Sequence, residues 1–78
     1  MSSDIVVRFG KAIRTIRHQA GISQEELAER CGLHRTYVSD VELGKRNVSL
    51  ENIERFSRSL NVSLTDLFAE VDKNEGIS

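Results

Sequence analysis

Residues 24–44 read Gln24-Glu-Glu-Leu-Ala-Glu-Arg-Cys-Gly-Leu-His-Arg-Thr-Tyr-Val-Ser-Asp-Val-Glu-Leu-Gly44, two short helical segments on either side of a single glycine. For two helices to cross steeply through a turn of three or four residues, the first needs a small side chain where they touch. The turn itself favours a residue at ease with positive φ. Ala28 and Gly32 meet those two needs. Leu27, Cys31, Leu33, Val38 and Val41 then form an apolar floor beneath the turn, which leaves Arg35, Thr36, Ser39 and Asp40 on the outer side of the second segment. Ser23 stands just before the first segment with Glu26 three residues on. That spacing predicts a capping box, with the serine oxygen accepting from a first-turn amide and the glutamate reaching back to the serine amide.

Working outward, Val6, Phe9, Ile13, Ile16 and Ala20 step by three, four, three and four, the inward stripe of a helix over about Asp4 to Ala20. Gly21 is placed to close it in the left-handed conformation. The segment from about Arg35 to Leu43 is stopped by Gly44. Ser49 and Ser63 each begin a further helix, and each follows an apolar residue that can staple onto the next turn, Val48 onto Ile53 and Val62 onto Leu67. The fourth helix buries Ile53, Phe56 and Leu60; the fifth offers Leu64, Leu67, Phe68 and Val71 before a flexible polar tail over residues 72–78. The expectation is an all-α fold of five helices in one domain over residues 4–71.

Composition narrows the function classes. A chain of 78 residues has room for one core, and its 38% hydrophobic and 29% charged residues are an ordinary globular balance. Cys31 is the only cysteine, which excludes a disulfide framework and a thiolate zinc cluster; it reads as a small core residue. His18 and His34 lack companions at metal-ligand spacing and read as surface residues, so no metal and no cofactor is expected. No apolar run reaches membrane-spanning length, and the Met1-Ser2-Ser3-Asp4 start lacks the features of a signal peptide, which points to the cytoplasm. An enzyme needs a nucleophile with its base, paired carboxylates in a cleft or a glycine-rich phosphate loop, and none is present; Glu25, Glu26 and Glu29 read as a solvated helix face. The net charge of −1 hides an asymmetry. Residues 1–20 carry Arg8, Lys11, Arg14 and Arg17 against Asp4, whereas from Glu51 onward three cations face six acids. This suits a nucleic-acid face toward the front half, and equally an ordinary mixed surface.

Several motifs carry a family resemblance. Ser23-Gln-Glu-Glu-Leu-Ala28, Gly32, Val38-Ser-Asp-Val-Glu42, Gly44-Lys45 and Asn61-Val-Ser-Leu-Thr-Asp-Leu67 resemble the Cro/CI-like, or XRE-type, helix-turn-helix family over about Phe9 to Val71. Within it, Arg35-Thr-Tyr-Val-Ser39 and Glu42-Leu-Gly-Lys-Arg-Asn47 are similar to the controller proteins of restriction-modification systems. The resemblance implies a compact, lambda-repressor-like DNA-binding domain whose third helix enters the major groove. Arg35 is then the residue for direct readout, since its guanidinium fork matches guanine O6 and N7. Thr36 can bond a base edge or touch a thymine methyl. Tyr37 has two readings, a thymine-methyl or phosphate contact and a partly buried core tyrosine. Ser39 and Asp40 lie where the family reads bases, and Asp40 can instead orient Arg35 or stay in solvent. Gln24 starts the second helix, where amides favour an anion, and the resemblance implies a phosphate contact. Lys45, Arg46 and Asn47 form a loop that approaches the DNA backbone or groove, or is simply solvated. Arg17 and Glu42 match a partly buried structural ion pair joining the first helix to the third.

One helix-turn-helix reads few base pairs, and the fifth helix has more apolar side chains than its length can readily bury. Both facts point to a homodimer with Leu64, Leu67, Phe68 and Val71 divided between core and interface. The expected function is a dimeric transcriptional regulator bound to a pseudo-palindromic double-stranded operator, either recruiting or blocking RNA polymerase, with no small-molecule ligand. In the controller-like case it activates at low concentration and represses its own gene at high concentration. A different class is a protein-interaction adaptor or an antitoxin-like subunit. An adaptor has no reason to present Arg35 and Thr36 outward beside Lys45 and Arg46, and an antitoxin usually needs an extra segment for its toxin.

Overall fold

The computed structural model describes residues 4–74, and among them it contains five helices and no strand: α1 (Asp4–Ala20), α2 (Gln24–Cys31), α3 (Arg35–Glu42), α4 (Leu50–Ser59) and α5 (Leu64–Lys73). Three starts are set by serines. Ser23 accepts from the amide of Glu26 at 3.0 Å, Ser49 from that of Asn52 at 3.1 Å and Ser63 from that of Asp66 at 2.9 Å. The reciprocal half of the Ser23 box is absent, because the Glu26 carboxylate pairs with Arg30 one turn along at 2.7 Å. Gly32 stops α2 at φ 70°, with nothing within 4 Å of where a Cβ would sit, so its role is the left-handed backbone and not space. The last helix runs past the expected boundary and takes in Asp72 and Lys73. Its final turn needs no further burial, and Asn74 Nδ2 caps it by donating to the Glu70 carbonyl at 3.0 Å. The rest of the polar tail, residues 75–78, lies outside the described residues.

The core gathers Phe9, Ala12, Ile13 and Ile16 of α1, Leu27, Ala28 and Cys31 of α2, Val38 and Val41 of α3, Phe56 and Leu60 around α4, and Leu67 and Val71 of α5. Phe9 meets Phe56 edge-on with ring centroids 6.2 Å apart, so α1 touches α4 through aromatics. The α1 stripe differs from expectation at two places. Ala20 is exposed and Ala12 is fully buried, because α1 packs against both α3 and α5 and its buried arc is wider than one stripe. Ile53 is only half-buried, although it and Val48 do pack on the core as a staple would. On α5, Leu67 and Val71 belong wholly to the core, which removes them from the expected dimer interface; Leu64 and Phe68 remain exposed.

Two features join α1 to α3. Gly10 lies buried in the middle of α1, and a Cβ there would run into the carbonyl oxygens of Val41 and Glu42 at the end of α3. Beside this close approach, Arg17 Nε donates to Glu42 Oε2 at 2.7 Å and Arg17 Nη2 to Oε1 at 3.0 Å. The two side chains are 9% and 3% exposed. The remaining polar capacity is used as well. Arg17 Nη1 donates to the Ile22 carbonyl at 3.0 Å, and Gln24 Nε2 donates to Glu42 Oε1 at 2.9 Å. Arg17 Nη2 also meets His18 Nε2 at 3.2 Å.

Gly10→Ala should cost about 3 kcal/mol, since the obstacle is backbone and not a side chain that can swing away. A lowered urea midpoint at unchanged slope checks this. Glu42→Ala should cost about 4 kcal/mol by stranding the buried guanidinium, whereas the R17M/E42L double variant should recover most of that loss. Equal destabilisation in the single and double variants, measured by chemical denaturation, would contradict the unpaired-charge account.

Candidate nucleic-acid interface

The α3 helix divides its side chains sharply for an element of eight residues. Val38, Val41 and Glu42 point inward, and Arg35 and Thr36 are exposed on its first turn. The cap residue His34 makes no side-chain bond to the first-turn amides, unlike the serines of α2, α4 and α5. Arg35 forms no hydrogen bond or ion pair among the described residues, so its guanidinium fork is uncommitted. It shares the rim of a shallow recess with Glu25, Glu29, Leu33 and His34. Thr36 is equally uncommitted. Ser39 is half-buried and lines a second recess with Arg14, Gln24 and Leu43 above the Arg17–Glu42 pair.

Tyr37 combines its two readings. The ring is half-buried and packs on the core, while its hydroxyl oxygen accepts from Asn52 Nδ2 of α4 at 3.1 Å. The Arg46 guanidinium lies over the ring, 5.5 Å from its centroid, in cation–π geometry. Asp40 faces Arg46 and not Arg35: the Arg46 Nε to Asp40 Oδ2 distance is 3.5 Å. The loop after α3 is therefore tied back to that helix at Arg46, while Lys45 and Asn47 are exposed to either side. Arg46 and Asn47 also border an apolar groove lined by Ile5, Phe9, Ile53 and Phe68.

Gln24 sits at the start of α2 as expected, but its amide is already engaged with the buried Glu42 carboxylate. It buttresses the ion pair before it can do anything else. Cys31 is buried, and burial pushes its thiol pKa up, as suits a core residue and not a nucleophile. Among the described residues no group of three His, Cys, Asp or Glu is placed to hold a metal ion, and no helix is long and apolar enough to cross a membrane.

Sequence reasoning missed Asn52 and Arg14. Asn52 reads locally as a polar residue in the first turn of a helix, and only the tertiary placement of α4, which packs on α2 and α5, brings it to Tyr37. Arg14 had a signal in its exposed position on the basic α1, but nothing local places it beside Ser39 and Gln24.

The helix-turn-helix family profile HTH_3 matches residues 13–67. The control protein C.BamHI of Bacillus amyloliquefaciens is 52% identical over 68 residues, covering 86% of this chain and 84% of that protein. C.MunI of Mycoplasma sp is 43% identical over 72 residues, covering 91% and 97%. Among solved structures, the restriction-modification controller protein C.AhdI of Aeromonas hydrophila superposes with a TM-score of 0.78 at 46% identity, covering 81% of this chain and 96% of that one. All three are control or controller proteins. With an uncommitted Arg35 and Thr36 on the first turn of α3, α2 packed against α3 and this degree of identity, the chain belongs to the XRE-type helix-turn-helix regulators, as a homologue of restriction-modification control proteins.

Proposed function

We propose that this protein is a sequence-specific, double-stranded-DNA-binding transcriptional regulator that works as a homodimer and controls restriction-modification genes. The observation that carries the reading is the pair Arg35 and Thr36, exposed and without partners on the first turn of a helix otherwise pinned by Val38, Val41 and Glu42. A guanidinium held on a rigid element meets guanine O6 and N7 through two parallel hydrogen bonds at little entropic cost. Thr36 and Tyr37 face neighbouring positions. Ser39 and Arg14 border the recess beside the start of α2, where Gln24 contributes what remains of its hydrogen-bonding capacity to a phosphate. Lys45, Arg46 and Asn47 follow the backbone. Asp40 acts through Arg46, by holding it, rather than by reading a base.

Residues 4–71 serve as one binding and dimerisation unit. The exposed Leu64 and Phe68 of α5, with Ile5 across the groove, supply the apolar face for a second copy. Two-fold pairing sets the α3 helices about 34 Å apart, one turn of DNA, and calls for a pseudo-palindromic operator. Adjacent operators of different affinity then give activation through RNA polymerase at low concentration and self-repression at high concentration. The protein acts in the cytoplasm without catalysis, cofactor or small-molecule effector.

Selection from a randomised DNA pool at near-physiological salt should yield a two-fold motif. Arg35→Ala should lose about 1–3 kcal/mol of discrimination at one base pair per half-site while keeping most nonspecific affinity. No motif from a folded protein would overturn the reading, and uniform weakening would reassign Arg35 to phosphate. Phe68→Glu and the more peripheral Leu64→Glu should each give monomers in sedimentation and abolish cooperative half-site binding. A dimer that persists in both moves the interface elsewhere.

A further inference from the structure

Asn52 lies on α4, outside the helix-turn-helix, yet its amide is the only group of the described residues that hydrogen-bonds the Tyr37 hydroxyl. The direction of that bond matters. A phenol has one hydrogen to give and lone pairs to receive. Asn52 Nδ2 donates, so the hydroxyl oxygen is the acceptor and its hydrogen is committed to nothing within the described residues. Two further contacts frame this bond, one on each side. The backbone amide of Asn52 is held by the Ser49 cap at 3.1 Å, which sets the position of its side chain. The Arg46 guanidinium lies over the ring face and is itself paired with Asp40. A cation on the π-face draws electron density from the phenol and strengthens its O–H as a donor.

We propose that Asn52 is a positioning residue for DNA recognition, which sets Tyr37 as a hydrogen-bond donor toward an acceptor oxygen or nitrogen of the duplex by occupying its acceptor side. This rests on the reading of α3 as the DNA-facing helix. Because DNA phosphates and the purine O6 and N7 atoms are acceptors only, a tyrosine whose hydrogen were consumed internally would have nothing to offer them. Asn52 keeps that hydrogen available, and an acceptor in its place would take it.

The test is equilibrium binding of the full chain to its selected operator and to single-base-pair variants of it, measured by fluorescence anisotropy. The proteins are the wild type, N52D, N52L, Y37F and the doubles Y37F/N52D and Y37F/N52L, each first checked for cooperative unfolding. The N52D carboxylate reverses the bond and captures the tyrosine hydrogen, so operator affinity should fall about tenfold. In the Y37F background the same change should cost no more than about threefold, the residue of charge repulsion with DNA. N52L removes the donor without adding charge; it should cost about threefold with Tyr37 present and nothing with Y37F. A loss confined to one base pair assigns the acceptor to a base edge, and a uniform loss assigns it to phosphate; either accords with the proposal. Equal losses with and without the Tyr37 hydroxyl, in both the N52D and N52L pairs, would overturn it and make Asn52 a structural residue. A wild-type protein that shows no sequence-specific binding overturns the DNA reading itself, an outcome separate from the first because it needs no variant.

Discussion

The contact between Arg17 and Glu42 concentrates the constraints of this fold, because four chain segments meet there. Arg17 belongs to α1, Ile22 to the turn that follows, Gln24 to the first turn of α2 and Glu42 to the last turn of α3. Helices of eight residues are not stable alone in water, so α2 and α3 exist only as parts of a packed unit. Two charges taken from water gain little net stability over an apolar pair of the same shape. What they contribute here is register. The carboxylate accepts from Arg17 Nε and Nη2 and from Gln24 Nε2, and those donors come from fixed directions, so α3 has one rotation about its axis that satisfies all three. Gly10 sets the distance, since the α1 backbone approaches the end of α3 too closely for any side chain to stand between.

Once α3 is fixed in rotation, its outward face follows from helical geometry. With Val38, Val41 and Glu42 directed inward, the 100° step puts Arg35 and Thr36 on the exposed side of the first turn. The residues that hold the helix and the residues that face outward are therefore different sets within the same eight. Tyr37 lies at the border between them. Its ring belongs to the packed interior, and its hydroxyl reaches the α4 amide of Asn52. The loop after α3 is held to that helix by the Lys45 amide, which donates to the Asp40 carbonyl at 2.9 Å, and by the Arg46 side chain, while the side chains of Lys45 and Asn47 are exposed.

Most of the framework was legible because it is local. Serine caps mark where α2, α4 and α5 begin, Gly32 marks where α2 stops, and the apolar spacing selects the inward faces within each helix. The departures have tertiary causes. Ala12 is buried because both α3 and α5 pack on α1, whereas Ala20, the last residue of that helix, is exposed. Gly10 carries no local sign of its role, which depends on a carbonyl oxygen thirty-one residues away, that of Val41. Glu26 had two partners within reach and took the cation of Arg30, four residues on, over the serine amide. Asp40 made the same kind of choice in favour of Arg46. The Arg17–Glu42 pair came from family resemblance alone, since a sequence carries no local sign that residues 25 positions apart will meet. At the candidate site, the exposed Arg35 and Thr36 follow from periodicity, while the Asn52–Tyr37 contact depends on how α4 packs.

The nearly neutral charge bears on how such a domain achieves selectivity. With 11 basic and 12 acidic residues, the chain as a whole exerts little long-range pull on phosphate, so affinity has to come from contacts placed at close range. A single short α3 can place few of them. In the proposed dimer the shortage is met by repetition, and the geometry of α5 suits that purpose because Leu67 and Val71 satisfy the core and leave Leu64 and Phe68 unspent on the outside. Phe68 also leans on Phe9, with ring centroids 6.3 Å apart, and shares a groove with Arg46 and Asn47. The face proposed to meet a second copy thus adjoins the loop proposed to meet the DNA backbone. A copy seated on Phe68 would press on one wall of that groove while DNA pressed on the other. Association and operator binding are then physically adjacent events, and weak sequence-independent attraction becomes an advantage: monomers would spend little time on unrelated DNA, leaving occupancy of the operator to depend steeply on protein concentration.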